Sequence, residues 1–196
     1  MLGGPGIPLD EHMLLSDSVS NSRSGKSLVE ISAGQNLLQG MIAEVKKGNS
    51  SSITENNLNR IIAEWRDSLP PKMNKPIKEF TKNNPNHWKQ MASEWATPYF
   101  KFVLNYAPYA VLTKVSCPTL SLIGEKDVQT LPEENSLGIK KAFENGKCTK
   151  FRVEIVKGVN HLFQKCETGS INEYEQIEET FNESVMEEIA AWIKNQ

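Results

Sequence analysis

Apolar side chains recur at three- and four-residue intervals through the first half of the chain and in short continuous runs through the second. Leu37, Leu38, Met41, Ile42 and Val45 fall on one face of a helix that Lys46-Lys47-Gly48-Asn49 ends. Ser50-Ser51-Ser52 reads as a loop, and Thr54 is placed to cap the next helix, whose stripe is Leu58, Ile61, Ile62 and Trp65. Pro70-Pro71 closes it. A shorter helix is expected from Pro76 to Lys82, and an aromatic-rich helical stretch from His87 to Asn105. Beyond residue 112 the texture alternates. Val115 to Ile123 reads as a strand ending at Gly124, and Pro132 to Glu144 as a helix stopped by Asn145-Gly146. Lys150 to Val156 reads as a second strand, and Ser184 to Lys194 as a closing helix with Val185, Ile189, Trp192 and Ile193 inward. Strand, helix, strand and helix in that order predict an α/β class with parallel pairing.

Composition narrows the function classes. The 196 residues are 38% hydrophobic and 23% charged, enough apolar content for a buried core. A net charge of −2 lacks the basic excess that nucleic-acid binding draws on, so no nucleic-acid partner is expected. No apolar run reaches the roughly 18 residues of a membrane span, and no export signal stands at Met1, which leaves localisation open. Cys117, Cys148 and Cys166 are too scattered for a disulfide framework or a paired metal site. His12, His87 and His161 form no HExxH set, so no metal and no cofactor are expected.

The candidate chemistry sits on two strand ends. Asp127 follows the first strand by three residues past Gly124, and His161 follows the second in Gly158-Val159-Asn160-His161. In a parallel sheet both loops emerge on the carboxyl edge, where open α/β sheets place their sites. Adjacent strands lie about 4.8 Å apart, so the two side chains are within reach of one another. An aspartate that orients a histidine makes that histidine a general base. Glu125 and Glu133 are other acids nearby, with spacing that fits the strand end less well.

Two further segments are weighed. Ser20-Asn21-Ser22-Arg23-Ser24-Gly25-Lys26-Ser27 matches a phosphate-binding G-x-x-x-x-G-K-[ST] loop except at its first position, but the polar run Leu9 to Val19 is a poor buried strand to precede it. A helix leading into a serine-rich loop is the plainer reading. The acidic run from Glu173 to Glu188 lacks the alternating ligands and central glycine of a calcium loop and reads as a solvated helix face with its approach.

Three stretches together carry a resemblance: Pro118-Thr119-Leu120-x-Leu122-x-Gly124-x-x-Asp127, then Val128, Pro132, Glu133 and Asn135, then Gly158-x-Asn160-His161-Leu162-Phe163. They resemble the α/β-hydrolase superfamily, and most of all bacterial carboxylesterases with a serine-aminopeptidase-like domain. The resemblance implies a partial α/β-hydrolase fold: residues 1–9 as the loop after the sixth strand, 10–111 as a helical cap, and 112–196 as the last two parallel strands and helices. It implies that Asp127 is the triad acid and His161 the triad base in hydrolysis of a small-molecule carboxylic ester. Trp88, Trp95, Tyr99 and Phe102 are the cap residues expected to line the acyl or leaving-group pocket. The family's serine stands in a G-x-S-x-G elbow ahead of the acid, and this sequence contains none. The expectation is therefore a carboxyl-terminal portion carrying the acid and base without the nucleophile, inactive alone, with the amino-terminal half or a second copy as partner. The alternative is a non-catalytic interaction module with an open strand edge; nucleotide binding at Ser20–Ser27 is a third.

Overall fold

The structure is a computed structural model that describes residues 1–23 and 25–196. Ser24, within the phosphate-loop-like segment, lies outside the described residues. The protein is mostly helical with one two-stranded parallel sheet, a mixed α/β class. Its chain divides into two compact units, one of residues 9–106 and the other of residues 1–8 together with 107–196.

The unit of residues 9–106 consists of α1 (Leu9–Arg23), α2 (Leu28–Lys46), α3 (Ser51–Ser68), α4 (Pro71–Asn83), α5 (His87–Trp95) and α6 (Pro98–Leu104). Ser27 opens α2 with a capping box: its hydroxyl accepts from the Glu30 N–H while the Glu30 carboxylate accepts from the Ser27 N–H. The phosphate-loop-like segment thus begins in α1 and ends at the cap of α2, and among the described residues no strand precedes it. The expected stripe of α2 is buried at Leu37, Met41, Ile42 and Val45, against Leu58 and Ile62 of α3. The cap of α3 is Ser50, not Thr54. Ser50 is extended and its hydroxyl accepts from the Ile53 N–H, whereas Thr54 is wholly buried and donates to the Asn49 carbonyl. Pro70-Pro71 both ends α3 and begins α4, since proline at the first helical position gives up no bond. α4 therefore starts five residues before Pro76 and runs through it. None of its residues is buried, so the bond lost at Pro76 disturbs no core. The stretch from His87 to Asn105 is two helices, α5 and α6, separated by Ala96-Thr97, where Thr97 caps the second.

The pattern did not mark Glu44 as a core residue, yet it is 1% exposed. Its carboxylate accepts from Lys47 Nζ at 2.7 Å, Asn57 Nδ2 at 2.7 Å and Asn49 Nδ2 at 3.4 Å. Burial pushes its pKa up, but these donors prevail and hold it below the ordinary carboxylate value. A buried charge is tolerated because every side is met.

The other unit contains α7 (Pro108–Leu112), β1 (Thr119–Gly124), α8 (Pro132–Glu144), β2 (Phe151–Val156), a 3-10 turn at Ile171–Gln176 and α9 (Glu183–Lys194). β1 and β2 are parallel, with Thr119 opposite Phe151 and Gly124 opposite Val156. β1 begins four residues later than its apolar run, because Pro118 has no N–H to give a ladder. Val115 instead packs on the core beneath α8. Side chains alternate across the sheet. Ile123, Phe151 and Val153 meet Ile139, Ala142 and Phe143 of α8, while Leu120, Leu122 and Val156 face Val185, Ile189 and Trp192 of α9.

The first residues of the chain complete this unit. Leu122 donates to the Met1 carbonyl and Gly3 to the Leu122 carbonyl, each at 2.9 Å, so Leu2 lies parallel to β1 on the side away from β2. Asn135 Oδ1 then accepts from the Gly6 N–H at 2.8 Å. Among the described residues no helix is long and apolar enough to cross a membrane.

Candidate active site

Gly124 ends β1 where the two strand-end loops cross. A Cβ there would stand 2.4 Å from the Asn160 carbonyl oxygen and 2.5 Å from that of Val159, so only glycine lets them pass. The loops are then tied together: Glu125 donates to the Val156 carbonyl at 2.8 Å and Lys126 to that of Val159 at 3.0 Å. The Glu125 carboxylate accepts from the Gly158 N–H at 2.9 Å, a structural use of that acid.

Asp127 is held on this crossing with its side chain wholly buried. Oδ1 accepts from the Gln129 N–H at 2.8 Å and the Thr130 N–H at 2.7 Å. Oδ2 lies 2.8 Å from His161 Nδ1. With both oxygens acting as acceptors, Nδ1 is the donor, and the lone pair of the imidazole falls on Nε2. The His161 side chain is 28% exposed, so it is accessible where its partner is not.

A tight loop aims the imidazole. Asn160 is fully buried, and its Oδ1 accepts from the Leu162 and Gln164 N–H groups at 2.9 and 3.0 Å. Its amide donates to Gln164 Oε1, and Gln164 in turn donates to the Glu179 carbonyl. Phe163 takes φ +58°, a left-handed conformation uncommon for an aromatic residue, and is kept there by stacking on Phe181 at 5.5 Å. Its carbonyl also accepts from the Asn182 N–H at 2.8 Å.

Gly3 walls the imidazole from the other side. It has φ +55°, and a Cβ there would meet His161 Cε1 at 3.0 Å and Nδ1 at 3.1 Å. Thr130 Oγ1 donates to its carbonyl at 3.1 Å. In the sequence Asn160 stands out only as a member of the Gly158-x-Asn160-His161 stretch and Gly3 only as part of the loop Gly3-Gly4-Pro5-Gly6, with no role at the site attached to either.

The structure thus brings Asp127 and His161 together and does not gather the four aromatics. Trp88 is half-buried, tilted on Trp65 at 5.8 Å with its indole N–H donating to Thr81 Oγ1, and Trp95 stacks on Phe100 at 4.6 Å. Both pack against the core of their unit. Tyr99 and Phe102 are 76% and 67% exposed on α6. The thiols of Cys117, Cys148 and Cys166 are free. Burial pushes the Cys166 thiol up, partly opposed by Lys126, which disfavours the thiolate. Among the described residues no three His, Cys, Asp or Glu side chains gather in a metal-binding group.

A buried strand-end carboxylate that orients an accessible imidazole is an arrangement with which a histidine can act as a general base. No protein-family model, curated protein or solved structure matches the chain.

Proposed function

We propose that this chain carries the acid–base half of a Ser-His-Asp carboxylic ester hydrolase of α/β-hydrolase type. The observation behind this reading is the 2.8 Å contact between a buried Asp127 and a solvent-accessible His161 at the carboxyl ends of adjacent parallel strands. Leu2 running parallel on the far side of β1 is consistent with a sheet that continues in that direction. In this reading residues 10–111 correspond to the family's inserted helical cap.

His161 Nε2 would take the proton of a serine hydroxyl as its oxygen attacks the ester carbonyl. The same proton then passes to the departing alcohol, leaving an acyl-enzyme. Water, deprotonated by Nε2, attacks the acyl carbon, and the proton returns to the serine as the acid leaves. Asp127 holds Nδ1–H throughout and stabilises the imidazolium formed in each half. The sequence has no G-x-S-x-G elbow, so the serine and its oxyanion-hole N–H come in this reading from a polypeptide segment outside it.

The test is an aryl ester assay with a short acyl chain, paired with labelling by a serine-directed fluorophosphonate. The chain is assayed alone and then together with the polypeptide encoded immediately upstream. Turnover and labelling are expected only for the combination, with a loss of about 10³-fold or more in His161→Ala. Serine-directed inhibition of turnover by the chain alone would overturn the reading. So would an upstream segment without a serine elbow, or full turnover in His161→Ala.

A further inference from the structure

The outer edge of the sheet carries a self-complementary pattern. The carbonyls of Lys150 and Val156 accept from the Thr119 and Glu125 N–H groups, at 3.0 and 2.8 Å. A strand residue turns its N–H and C=O to the same side, and successive residues alternate. The even-numbered residues of β2 therefore bond to β1, and Phe151, Val153 and Ile155 direct their backbone groups outward. Among the described residues no strand lies beyond them. Beside this edge runs an open groove of about 480 Å³, lined by Glu133, Ser136, Leu137 and Lys140 of α8 with Val153 and Ile155. Leu137 is 53% exposed. Such an edge is a template for another strand.

We propose that this edge is a homodimer interface, β2 pairing antiparallel with β2 of a second copy so that Val153 faces Val153 across a two-fold axis.

The hydrogen-bond phase and the charges select that register between them. Only odd-numbered residues offer outward backbone groups, so an odd residue must face an odd residue. With Val153 opposite itself, Phe151 faces Ile155 of the second copy, and Arg152 faces Glu154 twice by symmetry. Sliding by one residue in either copy breaks the phase. The neighbouring allowed registers put Arg152 against Arg152, or Glu154 against Glu154, and like charges directly opposite are unfavourable. Arg152 and Glu154 side chains are 39% and 40% exposed, open to such a partner. Within one chain Arg152 is shared between Glu154 at 3.2 Å and Glu188 at 2.5 Å, so a second guanidinium relieves the crowding at Glu154. The same axis brings the Glu133 end of one groove towards the Lys140 end of the other. An isologous contact of this kind closes on itself and leaves no growing edge there.

Sedimentation velocity over a concentration series is expected to show a dimer. Glu154→Arg sets arginine against arginine twice and weakens it ~10-fold or more. That change takes a carboxylate away from Glu188 but also gives up the exposed 3.2 Å pair with Arg152, so the thermal melt of the single chain is recorded alongside as the control for folding. In a Cys117→Ser background, Val153→Cys is expected to cross-link between copies on oxidation, since hydrogen-bonded antiparallel partners lie about 5.5 Å apart at Cα. Ile155→Cys, four residues out of step with itself, does not. A monomer at every concentration overturns the proposal. So does a dimer indifferent to Glu154→Arg, or one that fails to cross-link at 153, either of which places the contact elsewhere.

Discussion

Replacing Asp127 in two ways separates its structural work from its control of His161. In Asp127→Asn the amide oxygen keeps the two backbone donors, Gln129 and Thr130, at 2.8 and 2.7 Å. The amide nitrogen then faces His161 Nδ1 and donates, which forces the imidazole into the Nε2–H tautomer. The bonds to Gln129, Thr130 and His161 are kept in number but lose the carboxylate's charge, at a cost of about 1–2 kcal/mol. Asp127→Ala strips the acceptor from both N–H groups in a site where the native side chain is wholly buried. The Thr130 bond is buried and the Gln129 bond part-buried. An unsatisfied buried donor costs about 1–3 kcal/mol and the lost bond to His161 about 1–2 kcal/mol more, so this variant loses about 2–5 kcal/mol in all. Urea denaturation measures the two losses. Long-range ¹H–¹⁵N spectra of His161 at about pH 8.5, above the ordinary imidazole range, report the tautomer. The native chain should show Nδ1–H and Asp127→Asn should show Nε2–H. Equal destabilisation by the two variants, or an Nε2–H tautomer in the native chain, would refute the geometry on which the proposed base depends.

Gly3→Ala should cost about 1–2 kcal/mol through its left-handed backbone alone and shift the His161 ring resonances, read by denaturation and by NMR. Glu44→Gln should lower stability by about 1–3 kcal/mol at neutral pH. Because the folded pKa of Glu44 is depressed, its contribution is present above the ordinary value of 4.5 and fades as pH falls through the lower folded value. The gap between native and variant melting temperatures should therefore close on acidification. Trp95→Ala should cost about 2–4 kcal/mol, whereas Tyr99→Ala and Phe102→Ala should stay within about 0.5 kcal/mol. If the exposed pair instead proves destabilising, the packing described for α6 is wrong.

Much of the architecture could be read from residue pattern because local chemistry and burial agree there. α8 runs from Pro132 to Glu144 as read, with proline at its first position and Asn145-Gly146 past its end. Where local signals compete, the pattern misleads. Thr54 is as good a capping residue as Ser50, and only the burial of Thr54 against the α2–α3 core decides between them. Pro76 is a strong breaker, but a helix with no buried face tolerates it. Asp127 and His161 were visible as strand-end residues, since two parallel neighbours must deliver their loops to one edge. What holds them was not: Gly3 comes from over a hundred residues away, and the turn around Asn160 depends on a left-handed Phe163 that no propensity favours. Trp88 and Trp95 illustrate the converse, aromatic spacing that suggested a pocket and serves helix packing.

The seating of Met1 to Gly6 against β1 and α8 has a kinetic consequence. The Met1 amino group donates to the Leu120 carbonyl, 119 residues along the chain. The partners that Met1, Gly3 and Gly6 take here lie at residues 120–138, so these contacts wait until that stretch has been made, a delay on the order of 10 s at ordinary elongation rates. Seven helices lie between them, and the first six, α1 to α6, are contiguous and make local contacts, which form fastest. Gly3 and His161 can meet only after residue 161 has been made, so the imidazole acquires its wall later than the helices of residues 9–106 can form.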